Sequence, residues 1–361
     1  VNRRNFIRAT ALTALAAVET PGCATGPLHA CGTGKADLRL GTQRGDSDDI
    51  LKAMAAFGVN HICVQTPKKD EWSVEALTAR RARIESFGVK AEAMRLLHPS
   101  AIDGSAIQNV MLGKSPERDH EIDALCQKIR NASKAGYTLL TYDLSILGEV
   151  RTKSKPGRGG ASCGAFNYAE STDRDKPTLA GVVSTEVLWE RIDYFVQRVI
   201  PVAEECKVRL ALHPTDPAMP EPQGFRGVHT PLSTVAGLKR FVRLHPSLYH
   251  GLNFCQGTIC EGMKNPREEI YEAIEWFGSR GRIFNVHFRN ITGGYLNFQE
   301  TFPDNGDVDF IRAIRAYKQV GYRGMLMPDH VPVIDGDTGK KQAFAYSLGY
   351  IQALIQMVNR E

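Results

Sequence analysis

Long apolar runs are scarce in this 361-residue chain. Beyond the first thirty residues no stretch approaches the roughly eighteen uninterrupted apolar residues that a stable membrane span requires, so no span is expected in the mature protein. Charge of one sign is also lacking. The 45 Lys and Arg stand against 40 Asp and Glu, a formal net charge of +5, and no basic run carries interleaved aromatics. That excludes the usual footprint of a nucleic-acid binder. The eight cysteines show no disulfide-scaffold spacing. Cys255 and Cys260 are five apart, unlike the two-residue gap of a zinc knuckle. The 33 glycines contain no dinucleotide fingerprint at the first strand, which runs instead into Gly41-Thr42-Gln43-Arg44-Gly45-Asp46. There is no internal repeat.

The amino terminus departs from this pattern. Arg3-Arg4-Asn5-Phe6-Ile7-Arg8 precedes the short apolar segment Ala9–Val18. A basic region, a brief apolar stretch and small residues beyond it are the marks of a secretory signal, and the paired arginines resemble the twin-arginine type. The expectation is a signal over residues 1–30, export to the periplasm, and a single catalytic domain over residues 31–361. If the signal reading fails, the protein is expected in the cytoplasm.

From residue 37 the chain alternates. Strand-length apolar runs stand at Leu38–Thr42, His61–Gln65, Val89–Leu97, Thr138–Leu147, Val208–His213, Gly251–Cys255, Ile283–Phe288 and Gly324–Met327. Stretches with helical periodicity or room for a helix follow each one: Asp48–Phe57, Val74–Phe87, Glu117–Ala135, Thr185–Cys206, Leu232–Leu244, Pro266–Gly278, Asp307–Gln319 and Gln342–Val358. Gly58, Gly88, Gly136 and Gly321 punctuate helix ends. The alternation predicts a (β/α)8 TIM barrel, with an open doubly wound sheet as the alternative. Two long connections, 148–183 and 289–306, both follow strands and so fall on the carboxyl face, where barrels build their active sites.

Four consecutive runs end in metal-competent residues: His213, Cys255, His287 and Asp329. In a parallel barrel such ends converge on one rim. Two imidazoles, a thiolate and a carboxylate form a donor set for Mn, Fe, Co or Zn rather than Mg or Ca. His330 follows Asp329 and can reach the site as an acid or base. Arg289, two residues past His287, could clamp a carboxylate bidentately.

At these residues the chain resembles the mannonate dehydratase family of the xylose-isomerase-like barrel group. The family's strand-five His-Pro-Asp-Asp-Pro stands here as His213-Pro214-Thr215-Asp216-Pro217. Its Cys-x-Gly-(Ser/Thr) stands as Cys255-Gln256-Gly257-Thr258, its His-(Phe/Leu)-Arg as His287-Phe288-Arg289, and its Pro-Asp-His as Pro328-Asp329-His330. Asn305-Gly306-Asp307-Val308-Asp309 matches intact, and Ala345-Tyr346-Ser347 stands for Gly-Tyr-Ser. The resemblance implies Mn2+ or Fe2+ held by His213, Cys255, His287 and Asp329, and proton transfer by His330 and Tyr346. It also implies an Arg on the substrate carboxylate, matching Arg289. Departures accompany it. The family's Trp-Thr-Arg-Thr, which helps hold substrate, becomes Val150-Arg151-Thr152 with the Trp lost, and Asp-His-Gly becomes Asp329-His330-Val331.

The expected activity is a metal-dependent dehydration of a small-molecule sugar acid, D-mannonate to 2-keto-3-deoxy-D-gluconate. The alternatives are an isomerase or epimerase of neutral sugars on the same fold, and a non-catalytic exported sugar-binding barrel. Homo-oligomer formation is left open.

Overall fold

The apolar runs become strands because each is β-rich and short, and each sits between a glycine-punctuated helix end and a polar stop. A computed structural model describes residues 36–97, 102 and 105–361; the expected signal segment lies outside them. The barrel strands are β1 (Asp37–Thr42), β2 (His61–Val64), β3 (Lys90–Arg95), β4 (Leu139–Asp143), β5 (Arg209–His213), β6 (His250–Cys255), β7 (Ile283–His287) and β8 (Arg323–Met327). They pair in sequence order and close when β1 pairs with β8. Every barrel pairing is parallel. The (β/α)8 expectation is borne out.

Period-two alternation sorts the strand side chains. One set fills the barrel interior, where Cys63, Ala93, Leu139, Ala211, Phe284, Met325 and Met327 form their own cluster. The other set packs outward against the helices in the main core. The helix from Thr185 to Cys206 shows why the helices dock. Its buried residues Leu188, Trp189, Ile192, Phe195, Val196, Val199, Ile200 and Ala203 recur at helical spacing and form one apolar stripe. Ser184 starts it by accepting a hydrogen bond from the Val187 amide. No helix among the described residues is long and apolar enough to cross a membrane.

The structure departs from the expected elements in places that matter to the rim. β4 stops at Asp143 instead of running to Leu147, because the chain turns inward there to line a cavity. A short helix, Gln256–Glu261, begins immediately after Cys255. The two long connections join each other. Strand Ala165–Asn167 pairs with Asn297–Glu300, which pairs with Ile291–Gly294, in an antiparallel three-stranded sheet outside the barrel. The motif Asn305-Gly306-Asp307-Val308-Asp309 holds this sheet in place. The Asn290 amide donates to the Pro303 and Val308 carbonyls. A Cβ on Gly306 would lie 2.2 Å from that same amide. The Asp307 carboxylate accepts from the Gly293 amide at 2.8 Å, and Asp309 caps the next helix.

His250, at the base of β6, is fully buried, with Nε2 2.9 Å from the Phe241 carbonyl oxygen. Burial pushes its pKa down to about 4. The folded state therefore holds this ring neutral, while the unfolded chain takes up a proton near the ordinary value of about 6.5. The sign follows from linkage. Above pH 6.5 the group is neutral in both states and has no effect; as pH falls from 6.5 to about 4, only the unfolded state gains a proton, and stability drops by roughly 3 kcal/mol. Thermal midpoints measured across that range should fall more steeply for the parental protein than for His250→Gln. Equal slopes would show that His250 is not held neutral.

Candidate active site

The rim is built from inward-facing residues at the strand ends. His213 closes β5, Cys255 closes β6, His287 closes β7, and Asp329 lies two residues past β8. One donor atom from each lies within 4.8 Å of the others. The His213 and His287 rings are 5.1 Å apart between centroids. Cys255 Sγ is 3.7 Å from Asp329 Oδ2, and His287 Nδ1 is 3.5 Å from the same oxygen. The structure thus brings together all four residues expected to hold a metal.

The ring nitrogens are sorted by their neighbours. His213 Nδ1 lies 2.7 Å from the Pro214 carbonyl oxygen and 3.6 Å from Asp143, so Nε2 is left to face the other donors. His287 Nε2 is engaged by the Asn253 amide at 3.2 Å. His287 Nδ1 is buried without a hydrogen-bond partner. An orphaned imidazole nitrogen facing a thiol and a carboxylate is what a metal ligand looks like in the absence of its ion. The donor set fits a divalent metal.

The ionisation states agree. Burial works against a charged Cys255, but the Arg289 guanidinium beside it outweighs this and holds the thiol below its ordinary pKa. Burial also opposes ionisation of Asp329. The charges of His330, His287 and Arg289 overcome it and hold the carboxyl well below the usual range. Both shifts favour the deprotonated forms, which are the ones that bind a cation.

Arg289 is not where the sequence reading put it. It is 3 % exposed and committed on every side. Nε donates to Asp329 at 3.1 Å, Nη1 to Glu261 at 2.7 Å, and Nη2 to Asp216 at 3.0 Å and to the Thr258 hydroxyl at 2.9 Å. The expected carboxylate clamp is instead a buried strut behind the donors. Its depth is made possible by Gly257, where a Cβ would stand 2.5 Å from Arg289 Cγ. Arg151 is similarly engaged, with Nη1 on Asp216 at 2.5 Å and Nη2 on Glu300 at 2.6 Å. Two guanidiniums thus face Asp216, Glu261, Glu300 and Asp329. Asp216 carries its charge readily, because the two arginines override its burial. Glu261 is pushed upward by full burial and by the neighbouring Asp216.

His330 lies at the edge of this cluster and lines the cavity. Its Nδ1 is 2.6 Å from Glu300, and Nε2 stands 3.8 Å from both Glu149 and Asp329. Burial alone would lower its pKa; the Asp329 and Glu300 charges reverse this and raise it to about 10. Tyr346 is not brought to this place. It lies on the helix Lys341–Arg360, 44 % exposed, with its ring 5.7 Å from Phe302 and the Arg158 guanidinium over its face. The expected pairing of His330 with Tyr346 is corrected accordingly.

The cavity over the rim has a volume of about 340 Å³. Its wall includes residues that the sequence reading passed over: Gln43, Gln65, Arg95, Asp143 and Asn253. Gln43 and Gln65 carry a sequence signal, since they sit where apolar runs end; Arg95 and Asp143 lie inside the runs Val89–Leu97 and Thr138–Leu147, and only the structure ends β3 and β4 at them. Glu300 gave no such signal, being delivered by the outer sheet.

A parallel eight-stranded barrel with a possible donor set for a cation on its carboxyl rim defines the class of the fold, a (β/α)8 barrel. The D-psicose 3-epimerase of Clostridium cellulolyticum H10 shares that fold, superposing with a TM-score of 0.54 at 14% identity and covering 89% of this chain and 98% of that one. The mannonate dehydratase of Streptococcus suis serotype 2 superposes with a TM-score of 0.77 at 24% identity, covering 90% and 94%. In sequence, the mannonate dehydratase of Thermotoga petrophila is 27% identical over 87% of this chain and 95% of its own length. Residues 178–360 match the family model described as D-mannonate dehydratase (UxuA), and the chain belongs to that family. It is an enzyme, a hydro-lyase. The kinship overturns one expectation: the chain falls among the mannonate dehydratases, and the export inferred from Arg3-Arg4 is corrected.

Gly257→Ala tests the strut. The added methyl must displace Arg289, an overpacking that costs about 1–3 kcal/mol. The thermal midpoint should fall by several degrees and metal content, measured by atomic emission after dialysis, should fall with it. A variant with parental midpoint and metal content would show that the space behind the donors is not critical.

Proposed function

We propose that the protein dehydrates D-mannonate to 2-keto-3-deoxy-D-gluconate with a divalent transition metal, Mn2+ or Fe2+, held by His213, Cys255, His287 and Asp329. The observation that carries this reading is the convergence of the four donors beside the orphaned Nδ1 of His287. When bound, the metal supplies Lewis acidity that stabilises negative charge developing on the substrate.

The reaction removes the proton on the carbon beside the carboxylate and expels the neighbouring hydroxyl, which leaves as water once protonated. The resulting enol then rearranges to the keto acid. The α-proton is weakly acidic, so charge stabilisation and placed proton carriers are both needed. His330 is the proton carrier this geometry supports. It lines the cavity, Glu300 fixes its Nδ1, and Nε2 is left to exchange a proton with the substrate. Glu300 thereby acts as a positioning residue, and Arg151 holds Glu300 in turn. Arg289 orients Asp329 and favours the Cys255 thiolate. The same fold serves sugar epimerases, but a thiolate among the donors and a histidine seated on a buried carboxylate favour the elimination.

Two substitutions separate the roles. Cys255→Ser should lose most bound metal while keeping the parental fold, measured by metal content and circular dichroism; full occupancy in that variant would remove Cys255 from the ligand set. His330→Asn should keep metal yet lose roughly 10²–10⁴-fold in kcat for mannonate. Near-parental turnover would assign proton transfer elsewhere.

A further inference from the structure

All eight strands deliver an inward side chain to the rim, and only the last four supply metal donors. The first four supply Gln43, Gln65, Arg95 and Asp143, and all four line the cavity. Their direction follows from alternation: Cys63 and Ala93, two residues before Gln65 and Arg95, lie in the interior cluster. The cavity therefore has a donor half and a second, polar half that the donors leave unexplained.

A sugar acid carries a carboxylate whose charge needs a partner in the cavity. The arginines nearest the donors do not meet that need. Arg289 and Arg151 are bound to Asp216, Glu261, Glu300 and Asp329, and neither lines the cavity. Two arginines do line it, Arg44 and Arg95. Among the described residues neither is in an ion pair with a carboxylate. Arg44 lies over the Phe344 ring at 4.0 Å and donates to the Gly339 carbonyl at 2.5 Å, so it is tied to the wall. Arg95 makes a single hydrogen bond among the described residues, from Nη2 to Gln43 Oε1 at 3.1 Å.

We propose that Arg95 binds the substrate carboxylate and makes the site selective for acids over neutral sugars. This rests on the dehydratase reading. Gln43 ties Arg95 to the donor half, because its Nε2 donates to Asp329 at 2.6 Å while its Oε1 accepts from Arg95. Gln65 braces it from below by donating to the Gln43 carbonyl. An anion held on the free edge of Arg95 is then one side chain away from Asp329. The reacting carbon, adjacent to that carboxylate, then lies in the cavity that His213, His287, Asp329 and His330 also line. A guanidinium suits the task because two parallel N–H groups match a carboxylate and fix its plane.

The test uses the metal-loaded enzyme and compares Arg95→Met and Arg95→Lys with the parental protein. Affinity for D-mannonate is measured against that for D-mannitol, an uncharged six-carbon polyol. Arg95→Met should weaken mannonate binding about 10- to 100-fold, leave mannitol binding and metal content unchanged, and raise KM more than it lowers kcat. Arg95→Lys should recover part of the loss. Unchanged mannonate affinity in Arg95→Met would overturn the assignment. Equal losses for both ligands, or loss of metal, would also overturn it, because Arg95 would then act only through Gln43. The two readings fail separately. Arg95-dependent mannonate binding without dehydration would remove the dehydratase reading and leave the acid site. Dehydration that Arg95→Met does not slow would do the reverse, and a parental enzyme that binds no mannonate would remove both.

Discussion

The rim depends on one buried guanidinium. Arg289 contacts Asp329 beyond β8, Glu261 and Thr258 in the short helix after β6, and Asp216 in the turn after β5. Three strand ends are thus fixed to one charge. Removing that charge from water costs several kcal/mol, and only nearly complete pairing offsets it. Four hydrogen bonds supply the pairing, with Glu300 a further 3.7 Å from Nη1, and the charge also polarises the site: its place against Cys255 favours the thiolate, and Nε on Oδ2 fixes the rotamer of Asp329. The strut therefore sets both the geometry and the ionisation of the donors.

The outer sheet belongs to the same arrangement. Its strand Asn297–Glu300 ends in Glu300, and its neighbour Ala165–Asn167 belongs to the connection that carries Arg151. Glu300 and Arg151 meet behind His330. The histidine three residues past β8 thus takes its orientation from two connections that follow β4 and β7. Sheet pairing between the connections holds this contact in register, so the long excursions are structural supports for the rim as well as walls of the cavity.

Much of this was legible in the sequence, for a physical reason. A strand buried on both faces reads as an apolar run, so a polar residue that ends it stands out, and its position alone puts it on the carboxyl rim. His213, Cys255, His287 and Asp329 could be read that way because their types also suggest metal chemistry. Gln43 and Gln65 end runs in the same manner but belong to residue types that are ordinary at a surface, and Arg95 falls inside the run Val89–Leu97, where nothing marks it as a strand end. Arg289 illustrates the opposite failure. Its spacing from His287 gave the correct face but not the depth, which depends on Gly257 leaving room behind the donors. Tyr346 matches a motif, yet its helix holds it beside Phe302 and Arg158 instead of over the cavity. Glu300 could not be found from local pattern at all, since only the pairing of two distant connections places it.

The division of the rim into halves carries a consequence for how one barrel can serve several chemistries. Strands β5 to β8 hold a donor set whose geometry is constrained from behind by Arg289 and its carboxylates, so a change there disturbs several elements together. Strands β1 to β4 contribute Gln43, Gln65, Arg95 and Asp143, whose contacts are fewer: Gln65 and Arg95 bond to Gln43, Gln43 bonds to Asp329, and Asp143 lies beside His213. Gln65 and Arg95 can vary without unpairing a buried carboxylate among the described residues, since both bond to Gln43. Substitution is therefore least disruptive on the first half, and the proposed metal donors are the more constrained set on the second. One link between the halves is Gln43, which touches Arg95 on one side and Asp329 on the other. A ligand that engages Arg95 can thereby influence the position of a donor without any motion of the barrel itself.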